Sequence, residues 1–326
     1  MAEQKLLPRS NAVVLSSSHK SRPYWEGRSP RWICQMMVQR ACVPVTGGIY
    51  RLNKVAEPFI QVQTSTGSPL VNLPSQNLHI MHSHNEGTTL SSSYAAYDEA
   101  PREIHLSPIQ TVVKMHTRIP ALYSTHHNQL EMQLSLAAEW MYESKENLIF
   151  NHPDWGLVNS VAPRLQLKSA EGPTPDLLDE MLSRIWKVPD VFVMHPEAIA
   201  VFAQTCSKMG ITLETIEFNG GHFITWRGLP ILPTNKLYLS DGKGTQLQDR
   251  KAGGAKTNVL LLRMGEDKQG VISLYAAGTE GSPRFPFITV DFMGISDESV
   301  ASYLMTMYAA IAVLTAGALC KAEVTI

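Results

Sequence analysis

Apolar residues recur at helical spacing in some stretches of this chain and run together like buried strands in others. Leu130, Leu134, Ala137, Ala138 and Met141 follow i, i+4, i+7, i+8, i+11, which predicts a long helix over 126–148. Thr174-Pro175 starts the next helix, the threonine as cap and the proline in the first turn. Its buried face is Leu177, Leu178, Met181, Leu182 and Ile185. Residues 190–194 (DVFVM) form a short buried strand, and a helix over 196–209 follows, stopped by Gly210. Strands are predicted at 212–218, 223–232 (turning at Arg227-Gly228), 258–263, 271–276 and 287–293. Helices and strands interleave without a βαβ rhythm, so the fold class is α+β rather than a doubly wound parallel sheet.

Residues 300–319 carry no charge, between Asp297-Glu298 and Lys321. That length suits a bilayer, and an all-round apolar helix is either a membrane span or buried on every side. Ser302, Thr306, Thr315, Gly317, Tyr303 and Tyr308 weaken the first reading, and neither flank has a Lys/Arg cluster to set topology. The composition favours a helix buried in protein. Two regions lack a period: 1–30, rich in Ser, Arg and Pro, and 56–106, where little beyond 59–63 alternates. An unpatterned stretch as long as the second suits an excursion that finds partners on a neighbouring subunit. Residues 240–257 read as an exposed polar insert.

Composition narrows the picture. The chain is 44% hydrophobic but 17% charged, below the roughly 25% of soluble chains, which points to self-association. A net charge of −1 implies no nucleic-acid or anionic-membrane partner. Cys34, Cys42, Cys206 and Cys320 show no metal-type spacing and read as reduced thiols. The N-terminus has no apolar core of signal-peptide length.

Candidate chemistry is sparse. His79, His82, His84 and Glu86 could surround a cation, but no second ligand group closes the site. His126, His127 and Glu131 share a helical face and read as a polar helix start. Gly253-Gly254-Ala255-Lys256-Thr257 ends like a phosphate loop, yet Arg250 replaces its first glycine and a strand follows. Asn219-Gly220-Gly221-His222 is a turn before a strand. Asp176, Asp179 and Glu180, like Asp297 and Glu298, read as carboxylates at helix N-termini. No catalytic, cofactor or metal residue is assigned.

Longer motifs carry more information. Residues 48–55 (GIYRLNKV), 107–119 (SPIQTVVKMHTRI) with Tyr123-Ser124, 172–180 (GPTPDLLDE), 195–200 (HPEAIA), 223–231 (FITWRGLPI), 292–295 (FMGI) and 301–304 (ASYL) stand in order. Together they resemble family 2A encapsulin shell proteins, over residues 30–320. The resemblance implies the tailed-phage major-capsid (Hong Kong 97-type) fold. The corresponding divisions are an N-terminal arm at 1–45, an extended loop and flanking strands at 46–110, a peripheral domain with spine helix at 111–189, a mostly axial domain at 190–293, and a C-terminal helix returning to the subunit core at 294–326. It also implies about sixty copies in an icosahedral shell, a cytoplasmic nanocompartment, and an enclosed cargo enzyme, a cysteine desulfurase in this family, with a link to sulfur storage. The shell would be no enzyme itself, with no cofactor, nucleic acid or membrane span. By the same resemblance the loop after helix 196–209 points to the five-fold axis, making Thr212, Glu214, Asn219 and Gly220 pore candidates. The 64–100 and 240–257 segments look longer than the family pattern. A prophage capsid protein of the same fold, and a membrane protein anchored by 300–319, are the alternatives.

Overall fold

The computed structural model describes residues 31–52, 101–116, 129–185, 187–240, 246–247, 254–279, 281–282 and 285–326. Helix α1 (Trp32–Arg40) leads into strands β1 (Cys42–Val45), β2 (Ile49–Leu52), β3 (Arg102–His105) and β4 (Ser107–His116). Then come α2 (Gln129–Asn151), β5 (Gln166–Ser169), α3 (Pro175–Arg184), β6 (Val191–Met194) and α4 (Pro196–Lys208). The remainder is strands: β7 (Thr215–Phe218), β8 (Gly221–Trp226), β9 (Leu229–Pro233), β10 (Leu239–Ser240), β11 (Gln246–Leu247), β12 (Lys256–Leu262), β13 (Val271–Ala276), β14 (Gly281–Ser282), β15 (Phe285–Pro286), β16 (Thr289–Ile295), β17 (Val300–Val313) and β18 (Leu319–Thr325).

Two sheets organise these elements. The five-stranded sheet runs β1-β13-β17-β16, with β4 also on β17; the nine-stranded sheet runs β11-β10-β12-β6-β9-β8-β7, with β18 on β12 and β5 on β18. β2 and β3 pair antiparallel with each other; most of the 56–106 region lies outside the described residues. α2, α3 and α4 lie where local sequence puts them, whereas α1 falls within the stretch read as an N-terminal arm. Thr174 Oγ1 accepts from the Leu177 amide at 3.3 Å, with Pro175 in the first turn of α3. α2, rich in Leu, Glu, Met and Ala, suits a helix. It sets Ala138 and Met141 against Ile109, Met305, Met307 and Ala309 of the five-stranded sheet.

The tail departs from expectation. Residues 294–326 form no returning helix. β17 pairs with β4 from Val300↔His116 to Ala309↔Ser107, with β16 over Ala301–Thr306, and with β13 over Ala310–Val313. It is the central strand of its sheet. Both of its faces are largely covered over 305–312, so both parities are apolar and no alternation betrays the strand. Fourteen residues at strand rise span about 46 Å, and ladder bonds on its two edges satisfy the backbone groups that an isolated apolar segment would satisfy as a helix. β18 continues into the nine-stranded sheet, with Leu319, Cys320, Ala322 and Val324 wholly buried. Asp297 and Glu298 accordingly sit in the β16–β17 turn rather than at a helix N-terminus. Among the described residues no helix is long and apolar enough to cross a membrane.

The chain passes between the sheets twice at one place, from β12 to β13 and from β17 to β18. Arg263, wholly buried, stands there. Its Nη2 donates to Thr315 Oγ1 at 2.6 Å and to the Gln269 carbonyl at 3.2 Å, and its Nη1 to the Gly317 carbonyl at 3.4 Å. Gly270 lies so close that a Cβ there would meet the Arg263 carbonyl oxygen at 2.4 Å.

Candidate functional site

The pore candidates fall on one short path. α4 ends at Met209, Gly210 takes φ +72°, and the chain passes Thr212 and Glu214 to the β7–β8 hairpin. Both side chains are exposed. The Glu214 carbonyl accepts from the Thr225 amide at 2.8 Å, fixing this path to β8. Asn219 (φ 48°) and Gly220 (φ 79°) make the two-residue turn, both left-handed as such hairpins require. Asn219 does not project freely. Its Nδ2 donates to Gln35 Oε1 and its Oδ1 accepts from Gln39 Nε2, each at 3.2 Å. The hairpin is thus bound to α1, and Trp32 meets Phe223 edge-on at 4.9 Å. The structure therefore joins Asn219 to α1 of the same subunit, and leaves Thr212, Glu214 and Gly220 in the open.

The histidine cluster at 79–86 and His126-His127 lie outside the described residues, whereas Glu131 is on α2, half-buried. Among the described residues no three His, Cys, Asp or Glu side chains are placed to hold a metal. The four cysteines are free thiols. Lys256 opens β12 and donates to Glu323 at 3.1 Å, so the phosphate-loop resemblance leads into a strand. An open hollow of about 420 Å³ at the β1–β2 turn is lined by residues 44–47 and 49–51.

A polar joint that the sequence did not reveal lies on α2. Glu139, Glu143 and Glu146 stand at helical spacing, opposite the face that packs on the sheet. Arg31 donates to Glu139 at 2.6 Å and Glu143 at 3.1 Å, and Lys236 bridges Glu143 at 2.7 Å. Glu146 is wholly buried and accepts from Thr234 Oγ1 at 3.0 Å. Burial pushes its carboxyl up to about 7, against the stabilising Thr234 hydrogen bond. Burial likewise pushes the nearby Cys34 thiol up to about 12. The joint fastens α1 and the segment after β9 onto the long helix. Helical spacing of the three acids was the visible signal; their partners are too far away in sequence to have been paired with them.

The surface carries apolar side chains that a lone subunit leaves wet. Phe292, Met293 and Ile295 on β16 are 58–60% exposed, and Trp140 on α2 is 68% exposed. A β-bulge between Phe292 and Gly294 bends β16 at this point.

A family profile described as type 2A encapsulin shell protein, SrpI-like, matches residues 65–325. The type 2A encapsulin shell protein SrpI of Synechococcus elongatus is 37% identical over 319 residues, 98% of this chain and 93% of that protein. A type 2A encapsulin shell protein of Mycolicibacterium paratuberculosis is 34% identical over 97% of this chain and 93% of its own length. Among solved structures, the subunit of the holo-SrpI encapsulin complex of Synechococcus elongatus superposes with a TM-score of 0.72 at 35% identity, covering 98% of this chain and 95% of that one. The capsid of an empty GTA particle superposes at 0.54 with 11% identity over 92% and 90% of the two chains, a likeness of fold.

Proposed function

The chain belongs to the type 2A encapsulin shell protein family, and from that membership we propose that it closes with copies of itself, about sixty, into an icosahedral cytoplasmic compartment around a cargo enzyme. The observation that carries the reading is the 0.72 superposition on the subunit of an encapsulin complex over nearly the whole of both chains. The wet apolar residues of β16 and α2 support it: surfaces of this kind mark interaction sites, and low charge suits a subunit walled in by its neighbours. The shell's role is structural. It bounds the compartment and leaves chemistry to the enzyme inside. By family resemblance that enzyme is a cysteine desulfurase, and the product would feed sulfur storage.

The domain reading follows the same logic. The five-stranded sheet with α2 serves as the peripheral domain and its spine. The nine-stranded sheet with α3, α4 and the β7–β8 hairpin supplies the axial part, so relative to the sequence divisions β5 and α3 shift to the axial part and β13 and β16 to the peripheral one. β2 and β3 open the extended loop. Thr212, Glu214, Asn219 and Gly220 remain the pore candidates, with Glu214 the charge a passing solute would meet. Negative-stain imaging of the purified full chain tests assembly: hollow particles of uniform size are expected, and a field without closed particles overturns the proposal. Cosedimentation of a co-expressed cysteine desulfurase with those particles tests the cargo, and a desulfurase left wholly in the supernatant would refute that part.

A further inference from the structure

Glu146 sits toward the C-terminal end of α2 with no surface exposed. Its Oε1 accepts from the Thr234 hydroxyl, while its Oε2 is buried with no hydrogen-bond partner among the described residues. The cations around it pair with other carboxylates, and the charges of Lys236 and Arg31 only partly offset its burial. Arg31, just ahead of α1, is taken by Glu139 and Glu143; from the segment after β9, Lys236 is taken by Glu143. Lys145 lies over the Phe287 ring at 5.1 Å, and adjacent residues on a helix do not face each other. Among the described residues the remaining titratable groups nearby are Cys34, a neutral thiol from α1, and Tyr238, whose hydroxyl donates to Asn147. An ionised Glu146 would be a dry charge one turn from an ionised Glu143, with half of its carboxylate unsatisfied. Such a group is costly to ionise in place.

We propose that Glu146 is a proton-operated latch on the joint of α2, α1 and the 234–238 segment: protonated, it leaves the joint closed, and ionised, it loosens the hold on α1. The consequence reaches the assembly because α1 also carries Gln35 and Gln39, which hold the β7–β8 turn. The sign follows from linkage. Burial holds the closed-state carboxyl at about 7, while an opened joint returns it to the ordinary carboxylate range. Between those values the closed state binds more protons, so opening grows with rising pH and levels off above about 7.

The test is hydrogen exchange of the α1 amides in the full-length protein, corrected for the intrinsic rate, from pH 5.5 to pH 8. The opening constant of the parent should rise on the order of 20-fold across that range. Glu146→Gln should remove the dependence and leave α1 better protected at pH 8. Thr234→Val removes the hydrogen bond that favours the carboxylate, so its transition should move to higher pH. That variant also decides the matter should Glu146→Gln fail to fold, since an unmoved transition overturns the latch. So does a parent whose α1 protection is flat across the range, or a Glu146→Gln protein that keeps the parent's profile.

Discussion

Arg263 offers the sharpest test of how the two sheets are held together. The perturbation is Arg263→Met, which keeps most of the buried stem and removes the guanidinium. Two bonds, to the Gly317 and Gln269 carbonyls, and a third of 2.6 Å to the Thr315 hydroxyl are lost together. The backbone bonds of residue 263, to Ala318 and from Val271, are retained, so the variant isolates the side chain. A hydrogen bond to a charged group is worth about 1.5–3 kcal/mol, but burying the guanidinium itself costs several kcal/mol. Gln269 keeps the Thr315 hydroxyl as a donor at 2.8 Å. The net loss is therefore about 2–4 kcal/mol. Arg263→Lys should be worse than Met, because it retains the charge without the fork that reaches three acceptors. Denaturant unfolding followed by intrinsic fluorescence, at fixed protein concentration, measures both. A methionine variant within about 0.5 kcal/mol of the parent, or a lysine variant more stable than the methionine one, refutes the reasoning.

The remaining expectations concern the hairpin and the pore candidates. A Cβ at Gly221 would lie 2.8 Å from Trp32 and 2.7 Å from Phe223, so Gly221→Ala should cost about 1–3 kcal/mol and shift the near-ultraviolet signal of Trp32; an unchanged signal would mean that α1 does not rest on this hairpin. Glu214→Lys should alter the rate at which a charged substrate reaches an enclosed enzyme, with assembly intact, and unchanged kinetics would remove Glu214 from the pore.

Legibility followed the range of the forces involved. α3 was readable because Thr174 and Pro175 act within one turn, and α2 because its apolar face repeats locally. The Asn219-Gly220 turn was readable for the same reason. β17 was not, because a strand buried on both faces loses the alternation that identifies it, and the helix expected over 294–326 covered β18 although Lys321 and Glu323 alternate with buried residues there. The family resemblance came through motifs that survive such ambiguity. It gave the capsid fold without giving the tail's secondary structure. The polar joint shows the other limit. Glu139 and Arg31 stand 108 residues apart in sequence, and Glu146 and Thr234 stand 88 apart. Three acids at helical spacing suggest a solvated face until the fold brings those partners over them. The docking of Asn219 on Gln35 and Gln39 was hidden likewise, across 184 and 180 residues of chain.

The central claim is closure into a shell, and native mass measurement of the purified full-length protein tests it most directly. About sixty copies of a 36.1 kDa chain predict a discrete species of about 2.2 MDa, stable to dilution. A distribution confined to monomers and dimers would contradict the account.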